Sequence, residues 1–521
     1  MRSLIGPSLI ALLCVSGCTV GPDFTPPKAE TPEAWNNHAL KEGMPDSKTV
    51  STAADVADWW KTFNDPELAS LIDRARDSNP DLQQAALRIE EARAQIRAVD
   101  ARNLPMASED SSYARTRLSP TGALDIFGGS SGAGSTAAQA ASNGIPSQVV
   151  PISIPPFDLF QTGFDASWEI DLFGRIRRSV ESAEAQEQAI EEARHDAMVS
   201  VYAEVARTYM ELRGIQKEID ITQSNLKAQQ DAYNLTHAQA QGGETSNLDV
   251  ESASAEVATT AAQLPTLEDQ KNRAINALSL LLQLEPGALQ GELDQAKPLP
   301  LTPPEVPIGM PSDLARRRPD IRRAENELHA ATANIGVAVA DLYPKLNLTG
   351  SLGLQALRFN NLGDWASHFY NFGPALSIPV FNGVTYANIT VQKVRQKEAA
   401  LSYKTTVLGA LHDVENAVSS YEAEQLRLKA LQRAATANEH SLSLAQQRYR
   451  AGLSSFLDVL DAERRLFSSQ TEVERSSVMI STDLVAIYKA LGGGWTEDVP
   501  QAPAQTATSK AAPAVQTVAA K

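Results

Sequence analysis

The sequence predicts a mainly α-helical chain that also contributes β-strands to a membrane. Three observations carry that expectation: one structural plan occurs twice, apolar residues return every seventh position, and in two places that period drops to two. Repeated helical hairpins of heptad type pack side by side and supercoil. Short two-faced strands suit a wall between lipid and water.

The duplication is read from motif spacing. Asn79-Pro80-Asp81-Leu82 returns as Arg318-Pro319-Asp320-Ile321, and Leu104-Pro105 returns as Tyr343-Pro344 at the same offset. Gly243 to Val250 returns as Gly452 to Val459. Each copy runs helix, strand, strand, long helix, tight turn, long helix. The first is expected over 66–285 and the second over 312–495, joined by a Pro-rich linker at 286–311. A segment at 18–65 precedes them, and an Ala-, Pro- and Thr-rich tail at 496–521 is expected to be disordered.

The helices carry the heptad stripe. Val205, Leu212, Ile219, Leu226, Tyr233 and Ala240 step by sevens, and Val414, Tyr421, Leu428, Ala435, Leu442 and Tyr449 do so at matching positions. Arg175 to Gln241 reads as one helix, about 100 Å long at ~1.5 Å per residue. The hairpins are expected to turn near 241–246 and 450–455.

Strands are expected near 106–117, 158–172, 345–354 and 372–381. Phe160, Phe164, Ala166, Trp168 and Ile170 alternate with Gln161, Gly163, Asp165, Ser167 and Glu169, and Leu346 to Leu354 does the same. The last strand is read from Leu376, Ile378 and Val380, whereas 106–117 alternates poorly. Four strands cannot close a membrane barrel, which needs about eight or more. Open edges in lipid leave backbone groups unpaired. Several chains must therefore share one barrel.

The N-terminus reads as a signal peptide over 1–17: Arg2, an apolar run from Leu4 to Val15, then Val15-Ser16-Gly17-Cys18. That run resembles a lipoprotein lipobox, with Cys18 as the lipidation site, and Thr19 in place of Asp points to the outer membrane. Removal of the leader takes Cys14 with it, so a disulfide or Cys-based metal site within one chain is excluded. The formal charge is −17 with 21% charged and 6% aromatic residues, which argues against nucleic acid as a partner. No catalytic constellation, cofactor motif or metal-ligand spacing stands out, the seven His being scattered. No enzyme activity, cofactor or metal is expected beyond the covalent lipid.

The tip after the second turn is the informative segment: Leu457-Asp458-Val459-Leu460-Asp461. Asp458 and Asp461 share a helix face. By residue type they are equally two carboxylates favoured at a helix start or an acid pair facing a shared axis. The turns Gln241 to Glu244 and Arg450 to Ser454 need Gly243 and Gly452 for the reversal itself.

The opening Asp58-Trp59-Trp60-Lys61-Thr62-Phe63-Asn64-Asp65-Pro66, Arg317-Arg318-Pro319-Asp320-Ile321, Asp341-Leu342-Tyr343-Pro344 and the closing Leu491-Gly492-Gly493-Gly494-Trp495, together with the lipobox, resemble the TolC-like outer-membrane factor family, in its NodT-type lipoprotein branch. The resemblance implies a homotrimer with a twelve-stranded β-barrel in the outer membrane, continued by a periplasmic helical tunnel. It implies a passive exit duct for small molecules, working with a periplasmic adaptor and an inner-membrane transporter of the resistance-nodulation-division class. It also implies a periplasmic gate at Asp461 and Asp458, with Leu457 as an apolar constriction and Arg464 as a salt-bridge partner. Adaptor contacts are implied at Gly243, Gly452, Leu453 and Ser454. Three other readings share parts of the pattern. A type I protein-secretion duct differs only by the lipobox and closing motif, a periplasmic adaptor would have one hairpin, and an enzymatic lipoprotein would need a clustered polar site.

Overall fold

The computed structural model describes residues 19–29, 31–35, 48–50, 56–117, 155–243, 245–300 and 302–496. In chain order its elements are β1 (Lys48–Val50), a 3-10 turn (Trp59–Phe63), α1 (Pro66–Ser78), α2 (Pro80–Asp100), β2 (Met106–Thr116), β3 (Phe157–Ile170) and α3 (Arg175–Gln241). There follow α4 (Asn247–Ala261), α5 (Gln263–Leu281), β4 (Glu305–Pro307), α6 (Pro319–Ala340), β5 (Lys345–Ala356), β6 (His368–Ser377), α7 (Gly383–Arg450) and α8 (Phe456–Ala490). The signal peptide, Cys18, most of the loop between β2 and β3, and the tail from 497 lie outside the described residues.

The chain forms two compact units. One comprises the N-terminal residues to Ala29, Ala85–Glu192 and Asp320–Thr406, and the other comprises Glu30–Gln84, Ala193–Pro319 and the chain from Val407.

The first unit holds a four-stranded antiparallel sheet of order β2-β3-β5-β6. Its central pair joins the two copies of the duplication, because β3 of the first lies against β5 of the second. The register makes the sheet two-faced. Phe164 pairs with Leu352, Trp168 with Leu348 and Ile170 with Leu346, and β6 extends that face with Tyr370, Phe372 and Leu376. The opposite face carries Asp165 beside Ser108 and Ser351, Ser167 beside Thr349, and Glu169 beside Asn347. Phe164, Leu352, Tyr370 and Phe372 are all exposed on the single chain, so nothing among the described residues covers their face. At the end towards the loops, Tyr113, Phe160 and Phe359 form an aromatic cluster with ring centroids 4.9 and 5.7 Å apart. No helix among the described residues is long and apolar enough to cross a membrane.

The last strand differs from the sequence expectation. It runs His368–Ser377 instead of 372–381, because the ladder ends where Lys345 pairs with Ser377. Pro379 lacks the N–H that a further rung requires. Ile378, Val380 and Phe381 lie beyond the strand as exposed apolar residues.

The second unit is built around motifs that are distant in sequence. Trp59 stacks on Tyr488 at 5.1 Å, and Trp60 meets Tyr202 edge-on at 5.3 Å. The Gly494 N–H donates to the Val56 carbonyl at 2.9 Å. A Cβ on Gly493 would sit 2.8 Å from that same carbonyl oxygen, so only glycine fits there. The opening and closing motifs thus form one aromatic joint. Beneath it Arg213, fully buried, is paired with Glu67, and the Tyr209 hydroxyl donates to Asp65 at 2.7 Å.

The duplication is visible in contacts. Asn79 donates to the Leu281 carbonyl at 2.8 Å, and Arg318 donates to the Ala490 carbonyl at 2.9 Å. In each copy the residue before Pro80 or Pro319 ties the start of one helix to the end of the returning helix. Asn79 also accepts from Asp81 N–H at 2.9 Å, capping α2.

The segment 286–311 is more than a connection. It carries a helical turn at Gln290–Leu293 and strand β4, which pairs in parallel with β1, Thr49 opposite Val306. Val306 is fully buried, and Trp35 Nε1 donates to the Gly309 carbonyl at 2.9 Å. A three-residue strand beside prolines leaves no periodicity, so sequence alone does not show it.

Candidate functional site

The sequence-predicted site residues lie in the second unit, around the two hairpin turns. Each turn ends its helix with a glycine in the left-handed region, Gly243 at φ 78° and Gly452 at φ 68°. After α7 the Gly452 N–H donates to Tyr449 O and the Leu453 N–H to Arg448 O, both at 2.9 Å. That is a Schellman closure of the helix end. The turn glycines therefore have a complete structural role. Leu453 is strongly exposed at the tip, while the Ser454 hydroxyl is buried without a hydrogen-bond partner.

Both returning helices start with a capping box. Ser246 and Asp249 cap α4, and Ser455 and Asp458 cap α8. Asp458 Oδ2 accepts from the Ser455 N–H at 3.0 Å and from its hydroxyl at 3.1 Å. Its repetition at Asp249 follows from the same need, to satisfy orphan donors at a helix start. The Ser-x-x-Asp spacing was the signal for this role, and it was legible in both copies.

Asp461 differs. It lies on the exposed side of α8 with Leu457, opposite the buried Phe456, Val459 and Leu460. Its partner is Arg465 at 2.8 Å, one turn on along the same helix. The sequence expectation gave Arg464 as the gate's ion-pair partner. Arg464 instead reaches across to Glu256 on α4, with Nε and Nη2 at 2.8 and 2.6 Å from one carboxylate oxygen. The three-residue spacing from Asp461 to Arg464 is shorter than a full turn, whereas Arg465 at four residues lies directly above it.

Between these groups lies an apolar cluster of Ala253, Phe456, Val459 and Leu460, against which Ala232, Tyr233, Leu442, Ala445 and Tyr449 pack. It joins the two hairpins near their turns, and the Tyr449 hydroxyl adds a hydrogen bond to Gln239 at 3.0 Å. Next to it stands Glu463, which sequence reasoning did not single out. One of its carboxylate oxygens is buried with no hydrogen-bond partner. Burial, then the neighbouring Glu256 charge, push its carboxyl up to about 7, against a smaller opposing effect of the Gln446 hydrogen bond.

Among the described residues no group of His, Cys, Asp and Glu is placed to hold a metal ion. In the first unit the chain that follows Cys18 is pinned down. Val20 N–H donates to the Phe173 carbonyl at 3.2 Å, Arg178 pairs with Asp23 at 2.5 Å, and Phe24 stacks on His329 at 4.4 Å. Phe173 comes directly after β3.

The chain matches the model of the outer membrane efflux protein family over residues 71–283 and 310–493. It is 32% identical over 494 residues to the solvent efflux pump outer membrane protein SrpC of Pseudomonas putida, covering 94% of this chain and 98% of that one. It is 31% identical over 507 residues to nodulation protein T of Rhizobium leguminosarum bv. viciae, covering 96% and 95%. Among solved structures it is similar to the outer-membrane channel OprN, with a TM-score of 0.78 at 34% identity, over 92% of this chain and all of that one. Two helical hairpins, a two-faced sheet split between the copies, and these end-to-end similarities agree: the chain belongs to the outer membrane efflux protein family and is an outer-membrane exit channel for efflux.

Proposed function

We propose that three copies assemble into one duct, with Asp461 of each forming an acidic ring at the periplasmic end. The observation that carries the trimer is the sheet. Among the described residues it has four strands, two free edges and one unpartnered apolar face. Three such sheets supply the twelve strands of a closed barrel, which removes every edge from lipid. Its polar face, with Asp165 and Glu169, then lines the lumen.

The gate reading rests on the exposed Leu457 and Asp461 beside a helix start whose other acid, Asp458, already serves as a cap. Three carboxylates around a narrow axis repel one another and attract cations strongly where the local dielectric is low. Leu457 narrows the same opening. The tips, with Leu453 and Ser454 next to Gly452 and with Gly243 in the first turn, dock a periplasmic adaptor, which couples the duct to an inner-membrane transporter of the resistance-nodulation-division class. Cys18 carries the lipid. Its neighbour Thr19 begins the segment held against Phe173, so the acyl chains enter the membrane beside the base of β3. The duct is passive and needs no cofactor.

The test combines mass and conductance. The protein extracted in detergent is expected to have the mass of three chains, with Cys18 acylated, and to give a small conductance in planar bilayers. A monomeric mass with no conductance would refute the duct assembly.

A further inference from the structure

We propose that Glu463 is a positioning residue of the gate: as a neutral acid in the seam between the hairpins it keeps them packed, and loss of its proton to solvent releases them. This rests on the gate reading above and deepens it.

Three observations support the proposal. First, the two hairpins are cross-linked beside Glu463 by the ion pair of Arg464 with Glu256, whose carboxylate is largely buried. Glu463 is adjacent to Arg464 in sequence and is close enough to Glu256 for their charges to interact. An ionised Glu463 would place a second negative charge in the seam and compete with Glu256 for Arg464.

Second, the seam holds two buried oxygens without a hydrogen-bond partner. Asn225 on α3 meets Gln470 on α8 at 3.3 Å, and Tyr233 on α3 packs against the cluster that contains Leu460. These two contacts bracket Gln229 and Glu463 on the same pair of helices. Each of those residues has one buried oxygen without a hydrogen-bond partner, Gln229 Oε1 and Glu463 Oε2. Two unpaired acceptors on facing helices would become a satisfied pair if the carboxyl held its proton and donated to the amide.

Third, the helix that carries Glu256 is short and interrupted at its far end. Glu256 lies on α4, a 15-residue helix between the first turn and a break at Ala262. Pro265 has no N–H for the Ala261 carbonyl, which is why the returning helix divides there. The equivalent helix of the second copy, α8, is continuous for 35 residues. A shift of α4 about this break opens the seam without unpacking the rest of the unit.

The groups that decide the titration are Glu256 from α4 and Gln446 from α7, while Arg464 on α8 is held by Glu256 and, more weakly, by Asp461. Burial and Glu256 favour the neutral acid, and the Gln446 hydrogen bond opposes it. The packed state therefore holds a proton that a free carboxyl would lose, and packing weakens as pH rises through about 7.

The test uses spin labels on the full-length protein at Ala255→Cys and Ser468→Cys, one on each hairpin and both exposed. Their separation is measured by pulsed dipolar spectroscopy in detergent from pH 5.5 to 8.5, with conductance recorded in parallel. A short, narrow distance that lengthens and broadens as pH rises through about 7, with no such change in Glu463→Gln, is the expected result. Glu256→Gln provides a second test, because removing the neighbouring charge should move the transition to lower pH. Identical pH responses in wild type and Glu463→Gln, or an unmoved transition in Glu256→Gln, would overturn the proposal. If the distance responds and the conductance does not, the latch stands and the gate reading fails.

Discussion

The two hairpins descend from one plan, and they agree and differ in separate places. They agree in the parts that make a hairpin: a left-handed glycine at the turn, a Ser–Asp capping box after it, and a bond from before Pro80 or Pro319 to the end of the returning helix. They differ on the face just past the cap. The motif offset sets Asp461 opposite Ser252, Glu463 opposite Ser254 and Arg464 opposite Ala255. The second copy therefore carries the charged chemistry of the tip. The first offers small residues, carboxylates at Glu251 and Glu256, and a broken returning helix. Needs common to both hairpins were kept twice, and the chemistry proposed for the gate is concentrated in one.

The largest effect is expected where the two copies are locked together. Trp59→Ala removes the ring stacked on Tyr488 and leaves a cavity in the aromatic joint, at a cost of about 3–5 kcal/mol. A large fall in the thermal midpoint would confirm the joint, and a shift of a degree or two would refute it. Next comes the sheet that both copies share. Leu352→Arg on the apolar face should destabilise the inserted barrel by about 2–4 kcal/mol, while Ser351→Arg on the opposite face should be tolerated. Equal losses in detergent-resistant oligomer from the two variants would contradict the assignment of faces.

The caps come lower. Ser246→Ala and Ser455→Ala should each cost about 1 kcal/mol, and by similar amounts, because the two boxes do the same work. Breaking the Asp461–Arg465 pair should leave stability nearly unchanged, both side chains being well exposed. The pH dependence is small and has a definite sign. Burial raises Glu463 to about 7 and, with Glu424 as the second cause, Asp483 to about 6. Between the ordinary carboxylate range and those values the folded state binds more protons than the unfolded one. The thermal midpoint should therefore fall as pH rises from about 5 to 7, and less so in Glu463→Gln.

Much of this was legible in the residues. The duplication, the turn glycines and the two-faced strands β3 and β5 follow from spacing and period. The end of β6 was misplaced because apolar alternation continues through Ile378 and Val380 after the ladder has run out of partners. Stripe and burial also part company along α3. Val205, Leu212 and Ile219 are buried as the heptad implies, but further on the fully or nearly buried positions are Thr222, Gln229 and Thr236. The hydroxyls of Thr222 and Thr236 are satisfied by carbonyls four residues back, so these polar residues can face inward. Nothing in the hydrophobic pattern marks that change of face. For the same reason Glu463 was passed over, since its significance comes from Glu256, which lies 207 residues away in sequence and on the other hairpin.

The central claim is that the acidic ring proposed for the gate is supplied by the second hairpin. Single-channel conductance of wild type, Asp461→Ser and Ser252→Asp tests it most directly, because the first variant gives the second hairpin the residue of the first, and the second does the reverse. A several-fold rise for Asp461→Ser with no rise for Ser252→Asp is the predicted result. A conductance unchanged by Asp461→Ser, or raised equally by both, would contradict it.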